Sequence, residues 1–429
     1  MRALAWMIVL YTGALAASAA AGVVGPAVEV ASKVKGTRRQ MWPRAAWCEG
    51  SKTWLVAWRE GLTNEGEADI WCGRVSADGK AVDPAGIRVT SAKHRQERPS
   101  VVSDGKGFLV VWEDFRNGKD WDVYAARVSS DGKVLDPEGV LVAGGKHNQC
   151  RPVVAFAGGN YLVAWQAFRG DGVPGDPGTG YILFGARVSP EGKVLDAGGV
   201  LLADAGGKAH ADNAVAAAAG NRVLVGHLMV SYGGNQGHNY AGLAAVDAAT
   251  CKPDGPVLVF GPSIHAMYPG LFVNHHRLPA LAWGRAGGLF AAPSKGLGLH
   301  LWRLDANGKE AGPPQEIGGN KMLGLVPLFS LAFDGEQYLL TMDRPIRRGR
   351  DGAQIKVYGL YLDADGKLPK TKISEKDFLQ TAFVIAGEGD KDQMQGFACA
   401  GPKSVCLVAY VENRGADDLK VMARLVRAK

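Results

Sequence analysis

The sequence predicts an all-β fold: a seven-bladed β-propeller of four-stranded antiparallel blades, whose last blade is closed by the N-terminal strand. Three observations predict it. A short unit recurs seven times, each copy has four apolar runs separated by Gly, Asp, Asn and Lys turns, and the last copy is divided between the chain ends. Four such runs are typical of an antiparallel meander. Radial stacking of meanders buries both faces of each sheet and leaves only short edges.

The repeat unit fixes the register of the predicted strands. The residue that ends the second strand marks each copy, and the seven markers are Trp58, Trp112, Trp165, His227, Trp283, Met342 and Tyr410. Successive markers lie 53 to 68 residues apart, so the later copies carry insertions. A period of this size indicates one supersecondary unit used many times.

The chain ends supply the predicted closure. The seventh copy stops after its third strand, because Leu425 is followed by only four residues. Near the other end, Pro26 to Ala31 resembles the fourth-strand segment Gly139 to Ala143. We therefore expect the N-terminal segment to pair with the last strand, which also removes edges that invite aggregation.

Residues 1–21 predict export. They contain a single Arg2, an apolar stretch from Ala3 to Ala16 and the small residues Ala17 to Ala19, the layout of a cleaved signal peptide. The mature chain, residues 22–429, is expected to be one propeller domain, monomeric, in the periplasm or the extracellular medium. No other segment is apolar for long enough to span a bilayer, and no Cys follows the apolar stretch, so no membrane anchor is expected.

The charge balance is mildly basic. There are 49 Lys and Arg against 42 Asp and Glu, a formal charge of +7 over 429 residues, and no specific nucleic-acid binding is expected. One dense cluster runs from Arg344 to Arg350. Its first interpretation is a solvated loop, and the alternative is a docking patch for an anionic polymer.

The six cysteines permit disulfides in an exported protein. Cys399 and Cys406 flank the turn at residues 401–404 at equal distances, which predicts a bridge across a hairpin, with free thiols as the equal alternative. Cys48 and Cys72 fall on the first and third strands of one blade, roughly 9 to 10 Å apart. That distance exceeds the reach of a relaxed disulfide. The pairing of Cys48, Cys72, Cys150 and Cys251 is otherwise left open.

Function is expected on one rim of the ring, formed by the loops entering each blade and those between second and third strands, because these loops are long and varied. One element there is a Trp followed by an acid and an Arg, complete at Trp112, Asp114 and Arg116 and partial at Trp165 and Arg169. Its favoured interpretation is a lock between neighbouring loops. The alternative places charges in the central cavity, where they bind ligand.

Histidines recur in the loops that enter the next blade: His94, His147, His210 and His265. Imidazoles from successive blades are able to bind an anion or a metal if they converge. Equivalent atoms of adjacent blades are too far apart for one tetrahedral ion unless the loops bend inward. Hydrogen bonding to the backbone of the neighbouring blade is therefore favoured, and no metal or cofactor is predicted.

The fourth copy departs most from the repeat. His227 replaces the tryptophan marker, and the following loop is rich in aromatic, amide and imidazole groups. Local rule-breaking in a regular sequence is where a site is expected. The predicted ligand-binding residues are His227, Tyr232, Asn235, Gln236, His238 and Tyr240. Such groups suit a carbohydrate or peptide, and the alternative is decay of one repeat.

The segments Arg151 to Ala155, Tyr161 to Trp165 and Gly185 to Asp196 resemble repeats of exported bacterial propeller proteins of WD40-like and sialidase-like type, mostly of unassigned function. The resemblance is strongest over residues 42–211. It implies the fold and export, and it brings no catalytic residue.

The competing interpretation is a sialidase-like glycoside hydrolase or another carbohydrate-active propeller enzyme. The sialidase family repeats a Ser-x-Asp-x-Gly-x-Thr-Trp turn, whereas the turn at Ser129 to Lys133 lacks the later Trp. The family's three arginines and Tyr-Glu nucleophile pair have no match by spacing. Acids such as Asp114 and Asp343 are not spaced as an acid and nucleophile pair. The sequence therefore favours a non-catalytic scaffold for ligand binding or protein interaction, with no catalytic residue.

Overall fold

The computed structural model describes residues 22–33, 38–62, 66–170, 180–204, 209–231, 238–265, 279–293, 298–318, 328–347, 353–368, 370–415 and 417–429. The predicted signal peptide, residues 1–21, lies outside these ranges. Within them, strands dominate and the helix α1 is short. No helix of the described ranges has both the length and the apolar character needed to cross a membrane.

The strands and the helix are numbered in chain order. The first strands are β1 (Gly22–Val24), β2 (Val28–Glu29), β3 (Arg39–Cys48), β4 (Thr53–Gly61), β5 (Ala68–Ser76), β6 (Ile87–Arg88), β7 (Gln96–Ser103), β8 (Gly107–Asp114), β9 (Asp122–Ser129) and β10 (Val140–Ala143). There follow β11 (Gln149–Ala157), β12 (Asn160–Arg169), β13 (Gly180–Val188), β14 (Val200–Ala203), β15 (Ala209–Ala219), β16 (Arg222–Ser231), β17 (His238–Asp247), β18 (Leu258–His265), β19 (Ala280–Trp283) and β20 (Gly288–Pro293). The last are β21 (Leu299–Leu304), β22 (Gln315–Ile317), β23 (Phe329–Phe333), β24 (Tyr338–Arg347), β25 (Ala353–Leu362), β26 (Lys372–Ile373), α1 (Glu375–Thr381), β27 (Phe383–Ala386), β28 (Gln393–Ala400), β29 (Val405–Gly415) and β30 (Asp418–Ala428).

Five separate sheets form blades. Blade II is β7 to β10, blade III is β11 to β14, blade IV is β15 to β18, blade V is β19 to β22 with β26, and blade VI is β23 to β25 with β27. The prediction of an all-β propeller with four-stranded antiparallel blades is confirmed. The predicted number is corrected, because the structure has five separate blades, not seven.

The remaining strands form one nine-stranded sheet, sheet I, which explains the difference in number. Its N-terminal half is β3 to β6, and its C-terminal half is β28 to β30 with β1 and β2 on β30. The halves are each antiparallel, and one parallel pair, Arg39 with Leu419, joins them. Sequence periodicity does not reveal such a bridge, since it depends on how two strand ends approach.

The predicted pairing of the N-terminal segment with the last strand is confirmed. In β1, Gly22 lies opposite Ala428, and in β2, Val28 lies opposite Ala423. The side chain of Arg414 adds an ion pair to Glu29 at 2.9 Å. The chain ends thus share one sheet.

Buried apolar clusters lie between consecutive sheets all the way round the ring. Alternate residues of each second strand face opposite neighbours, as the period of a strand requires. Thus Val56 packs on the C-terminal half of sheet I, whereas Leu55 packs on blade II. One cluster joins the two halves of sheet I through Val56, Leu407 and Val421.

An arginine clamp repeats between the regular blades. Arg127 of β9 makes a bidentate pair with Asp136 of its own blade, in which both nitrogen-to-oxygen distances are 2.8 Å. Its remaining guanidinium nitrogen donates to the Pro190 carbonyl of blade III at 3.5 Å. Equivalent pairs are Arg74 with Asp83 and Arg187 with Asp196, which reach the carbonyls of Ser130 and Ala249. The clamp explains the recurring Arg and Asp of the repeat.

Of the two alternatives for Cys399 and Cys406, the structure has the free thiols, and the other four cysteines are free as well. The hairpin pairs Cys399 with Leu407 and Cys406 with Ala400. An offset of one residue sends the two side chains to opposite faces of the sheet. Cys48 and Cys72 are unbridged, as expected.

The Arg-rich cluster is not simply a solvated loop. Its beginning belongs to β24, where Arg344 is 2% exposed and lies over the Phe378 ring of α1 at 5.0 Å. Residues 348–350 lie outside the described ranges.

Candidate functional site: the axial cavity

A cavity of about 210 Å³ lies on the axis of the ring. It is lined by the first strand of each meander, β3, β7, β11, β15, β19, β23 and β28, or by residues directly before it. Most of the wall is apolar and small, for example Val101, Val154, Ala216 and Leu281. Its arginine and amide side chains lie towards one end, near the starts of the lining strands.

A repeated β-bulge builds that polar end. The register shifts once near the start of β3, β7, β11, β15 and β28. At each shift a residue other than glycine takes the left-handed conformation, with φ between 50° and 58°: Trp42, Arg98, Arg151, Asn213 and Gln395. Bulges re-aim side chains, and left-handed non-glycine residues concentrate where function requires them. We call these five residues the bulge ring.

The bulge ring faces the rim on which function was predicted. Each member lies within the first five residues of the first strand of its meander, next to the loop that enters the blade. Because the second strand runs antiparallel to the first, its exit loop lies at the same end. The sequence carried a signal for the ring, since Pro43, Pro99 and Pro152 each follow a member.

Acceptors from the preceding blade hold the bulges. Glu113 accepts the backbone N–H of Arg151 at 2.8 Å, and Gln166 accepts that of Asn213 at 3.3 Å. Asp343 accepts the N–H groups of Gln395 and Gly396. Each acceptor directly follows the marker residue of its second strand. Burial raises the pKa of Asp343 to about 7, while its two backbone hydrogen bonds oppose the rise.

Three arginines enter the cavity wall. Arg98 pairs with Glu113 at 3.2 Å and lies over the Trp42 ring, 4.8 Å from its centroid. Arg151 pairs with Asp212 at 2.5 Å and donates to the Asn213 side chain at 2.8 Å.

The third arginine, Arg44, differs from the other two. It lies 4.9 Å from the centroid of the Phe397 ring and donates to the carbonyl of Pro43 at 2.9 Å. Burial, and then the charge of Arg98, lower its pKa to about 10. Among the described residues, no carboxylate forms an ion pair with Arg44.

The described wall of the cavity is therefore cationic. It includes Arg44, Arg98 and Arg151, and none of the described lining residues is Asp or Glu. The acids that pair with Arg98 and Arg151 lie behind the wall and are buried. Glycoside hydrolysis usually needs two carboxylates beside the scissile bond, and the described wall has none.

The Trp, acid and Arg element is a structural lock. Asp114 is 0% exposed and accepts from Arg116 and from the Trp112 indole, both at 2.7 Å. Arg116 also donates to the Glu138 carbonyl at 2.8 Å, which ties two loops of blade II together. Arg169 forms an exposed pair with Asp204 at 2.7 Å. The favoured interpretation is confirmed at Asp114, and none of these three charged residues lines the cavity.

The recurring histidines whose side chains the structure describes, His94, His147 and His210, each contact a different neighbour. His210 is 2% exposed and accepts the N–H of Tyr181, in the neighbouring blade, at 3.1 Å, and burial lowers its pKa. His94 lies against Phe115 and His147 against Phe168, with edge contacts in both cases. The predicted contact with a neighbouring backbone is confirmed for His210. No group of three metal-ligating side chains occurs in the part of the chain that the structure describes.

Much of the predicted fourth-copy site falls outside the described residues. This holds for Tyr232, Asn235 and Gln236, and for the side chains of His238 and His265. Tyr240 is partly buried opposite Met229.

His227 is placed inside a sheet interface. It is 1% exposed, shares a strand face with Val225, which packs on blade III, and lies against Gly242. Burial lowers its pKa to about 4. The structure therefore places His227 in the core and not among the residues that line the cavity, because the marker position points into the sheet interface.

Comparison with known proteins supports the fold alone. No known family and no curated protein matches the sequence. A solved structure of a protein of unknown function from Dyadobacter fermentans is 12% identical, with a TM-score of 0.50 over 95% of this chain and 99% of that chain. The chain is therefore similar in fold to that protein over nearly its whole length.

Two enzymes with weaker likeness are also found. A Trypanosoma rangeli sialidase mutant with trans-sialidase activity is 10% identical, with a TM-score of 0.46 over 86% of this chain and 58% of that chain. The Bacillus subtilis arabinanase Arb43A is 11% identical, with a TM-score of 0.35 over 79% of this chain and 95% of that chain. Structural neighbours thus include glycoside hydrolases and a protein without assigned function.

Proposed function

We propose that this chain is an exported, non-catalytic β-propeller, one domain over residues 22–429, that binds a ligand at the bulge ring of its axial cavity. The observation that carries the proposal is the composition of the described wall, which has arginine, amide and aromatic side chains and no carboxylate. Ligand sites are typically concave and mostly apolar with a few placed polar groups. The cavity has this composition.

The polar groups are held in place before any ligand arrives. Glu113, Gln166 and Asp343 fix three of the bulges from behind, and the Gln395 side chain accepts the Trp42 N–H at 2.7 Å across the two halves of sheet I. Preorganised groups lose less entropy on binding. This favours recognition of a ligand with a defined pattern of polar atoms, a carbohydrate or a peptide.

The described acids do not support hydrolysis. Asp343 has the raised pKa of a general acid, but it accepts two backbone N–H groups from β28. Asp114 is committed to Arg116 and Trp112. Neither acid lines the cavity.

The test is a glycan and peptide binding screen run beside turnover assays with chromogenic glycosides. We expect binding without turnover, and loss of binding in Trp42→Ala. Leu141→Ser, at a half-exposed position on the outermost strand of blade II, is the control and should bind like the wild type. Alanine substitution of residues 232–236 tests the fourth-copy loop separately.

Two results would contradict the proposal. One is glycoside turnover that disappears when a single acid is changed. The other is ligand binding that Trp42→Ala leaves intact.

A further inference from the structure

We propose that the ligand of the axial cavity is recognised through a carboxylate group, which forms a paired contact with the guanidinium of Arg44. This inference rests on the proposed function and names the chemistry of its ligand. It follows from the charges, the stacking and the shape of the bulge ring.

The first step is the charge balance of the cavity wall. Arg98 and Arg151 are neutralised by Glu113 and Asp212, which lie behind them. Arg44 has no such partner among the described residues, and burial, followed by the charge of Arg98, lowers its pKa. A partly buried cation without a counter-charge is costly. The described wall thus has one positive charge that a monoanion would compensate.

The second step concerns the aromatic side chains of the wall. Neutral sugars are commonly held on an aromatic face, but here a guanidinium already lies on two of the three rings of the described wall, and the third ring, Phe329, is buried. Arg44 covers one face of Phe397, and Arg98 covers one face of Trp42. The groups that the wall offers to a ligand are therefore cations supported by rings, whose stacking holds the guanidinium plane in one orientation.

The third step is the geometry of the anion. A guanidinium presents a planar fork of N–H donors that matches the two oxygens of a carboxylate. A carboxylate carries one negative charge, which balances the one positive charge of Arg44. A phosphate monoester carries more negative charge at neutral pH. The wall therefore fits a carboxylate better than a phosphate.

The experiment compares acidic and neutral ligands by calorimetry. The two acidic sources are galacturonic acid oligomers and glutamate-containing peptides, and their neutral counterparts are galactose oligomers and the glutamine peptides. We expect one acidic source to bind, with binding weakened by added NaCl. Arg44→Met, which keeps an apolar side chain beside Phe397, should lower the affinity about 10- to 100-fold. Arg44→Lys, which keeps the charge without the fork, should show a smaller loss.

The control is Arg88→Met. Arg88 is an exposed arginine of β6 paired with Asp69 at 2.8 Å, away from the cavity, and its removal should leave binding unchanged. Thermal unfolding reports folding of every variant. If Arg44→Met fails to fold, the carboxylate assignment is still tested by comparing the affinities of the wild type for the acidic ligands and for their neutral counterparts.

The outcomes separate this inference from the proposed function. Neutral oligomers that bind as tightly as acidic ones, or acidic binding that Arg44→Met leaves unchanged, would overturn the carboxylate assignment while the cavity remained a binding site. If Trp42→Ala abolishes binding of the neutral oligomers, the cavity is a binding site that does not require a carboxylate. Absence of binding by every ligand would overturn both.

Discussion

Blades II and III hold to their neighbours differently from blades V and VI. In the first region, the arginine clamps at Arg127 and Arg187 repeat the same contact from blade to blade. In the second, a segment inserted before β27 joins the blades. Its strand β26 pairs with β22 of blade V, and Phe378 of α1 packs into the core between blades V and VI. Regular repeats thus use a local polar contact, whereas the irregular copies use added apolar surface.

The largest effect on stability is expected for a substitution in the second region, between blades V and VI. Phe378→Ala removes a side chain that is 0% exposed between blades V and VI. Deletion of a buried aromatic ring should lower the free energy of unfolding by about 3–5 kcal/mol, measured by urea denaturation. Leu379→Ala, at a 44% exposed neighbour on the same helix, is the control. A similar loss in both variants would mean that α1 does not seal the interface.

The next largest effect on stability is expected from the titration of His227, in the fourth copy, where the regular repeat ends. Its folded-state pKa is about 4, below the ordinary value of 6.5, because burial disfavours the charged form. The native state therefore binds fewer protons than the unfolded chain, and stability should fall as the pH drops from 6.5 to 4, by at most about 3 kcal/mol. His227→Phe should remove this part of the acid sensitivity in unfolding curves measured at several pH values. Equal slopes for both proteins would show that His227 titrates normally.

A smaller effect tests the clamp of the first region. Asp136→Ala leaves Arg127 partly buried without its carboxylate, and should cost about 1–3 kcal/mol of unfolding free energy. Asp204→Ala breaks the more exposed pair with Arg169, and should cost at most about 1 kcal/mol. Guanidinium denaturation of the two variants compares them directly. If Asp204→Ala is the more harmful, the clamp is not what joins the regular blades.

The repeat predicted the blades because apolar runs and turns are local features. The fusion of two antiparallel halves into sheet I was not predictable, since it depends on the approach of Arg39 to Leu419. The choice between a bridge and free thiols was open for a similar reason, because symmetrical spacing of Cys399 and Cys406 does not fix a hairpin register. The burial of His227 could have been inferred, because it lies two residues after Val225 and four after Val223, on the same face of the strand.

The candidate site was predicted by rim but not by residue. Strand direction and loop length indicated the end of the ring at which the bulge ring lies. The Arg-Pro pairs at Arg98 and Arg151 did not predict the bulges, because a left-handed backbone at a residue before proline is not a local preference. The excess charge at Arg44 depends on which acids pack behind the wall, and that is a tertiary property.

The pairing of β1 and β2 with β30 imposes an order on folding. Gly22 lies opposite Ala428, so the first described residues to be synthesised must wait for the last before they find their hydrogen-bond partners. Contacts between such distant segments form slowly, because the intervening chain must first be ordered. Until β30 has been synthesised, β1 and β2 have no strand to pair with, so their backbone hydrogen-bonding groups stay exposed on the nascent chain.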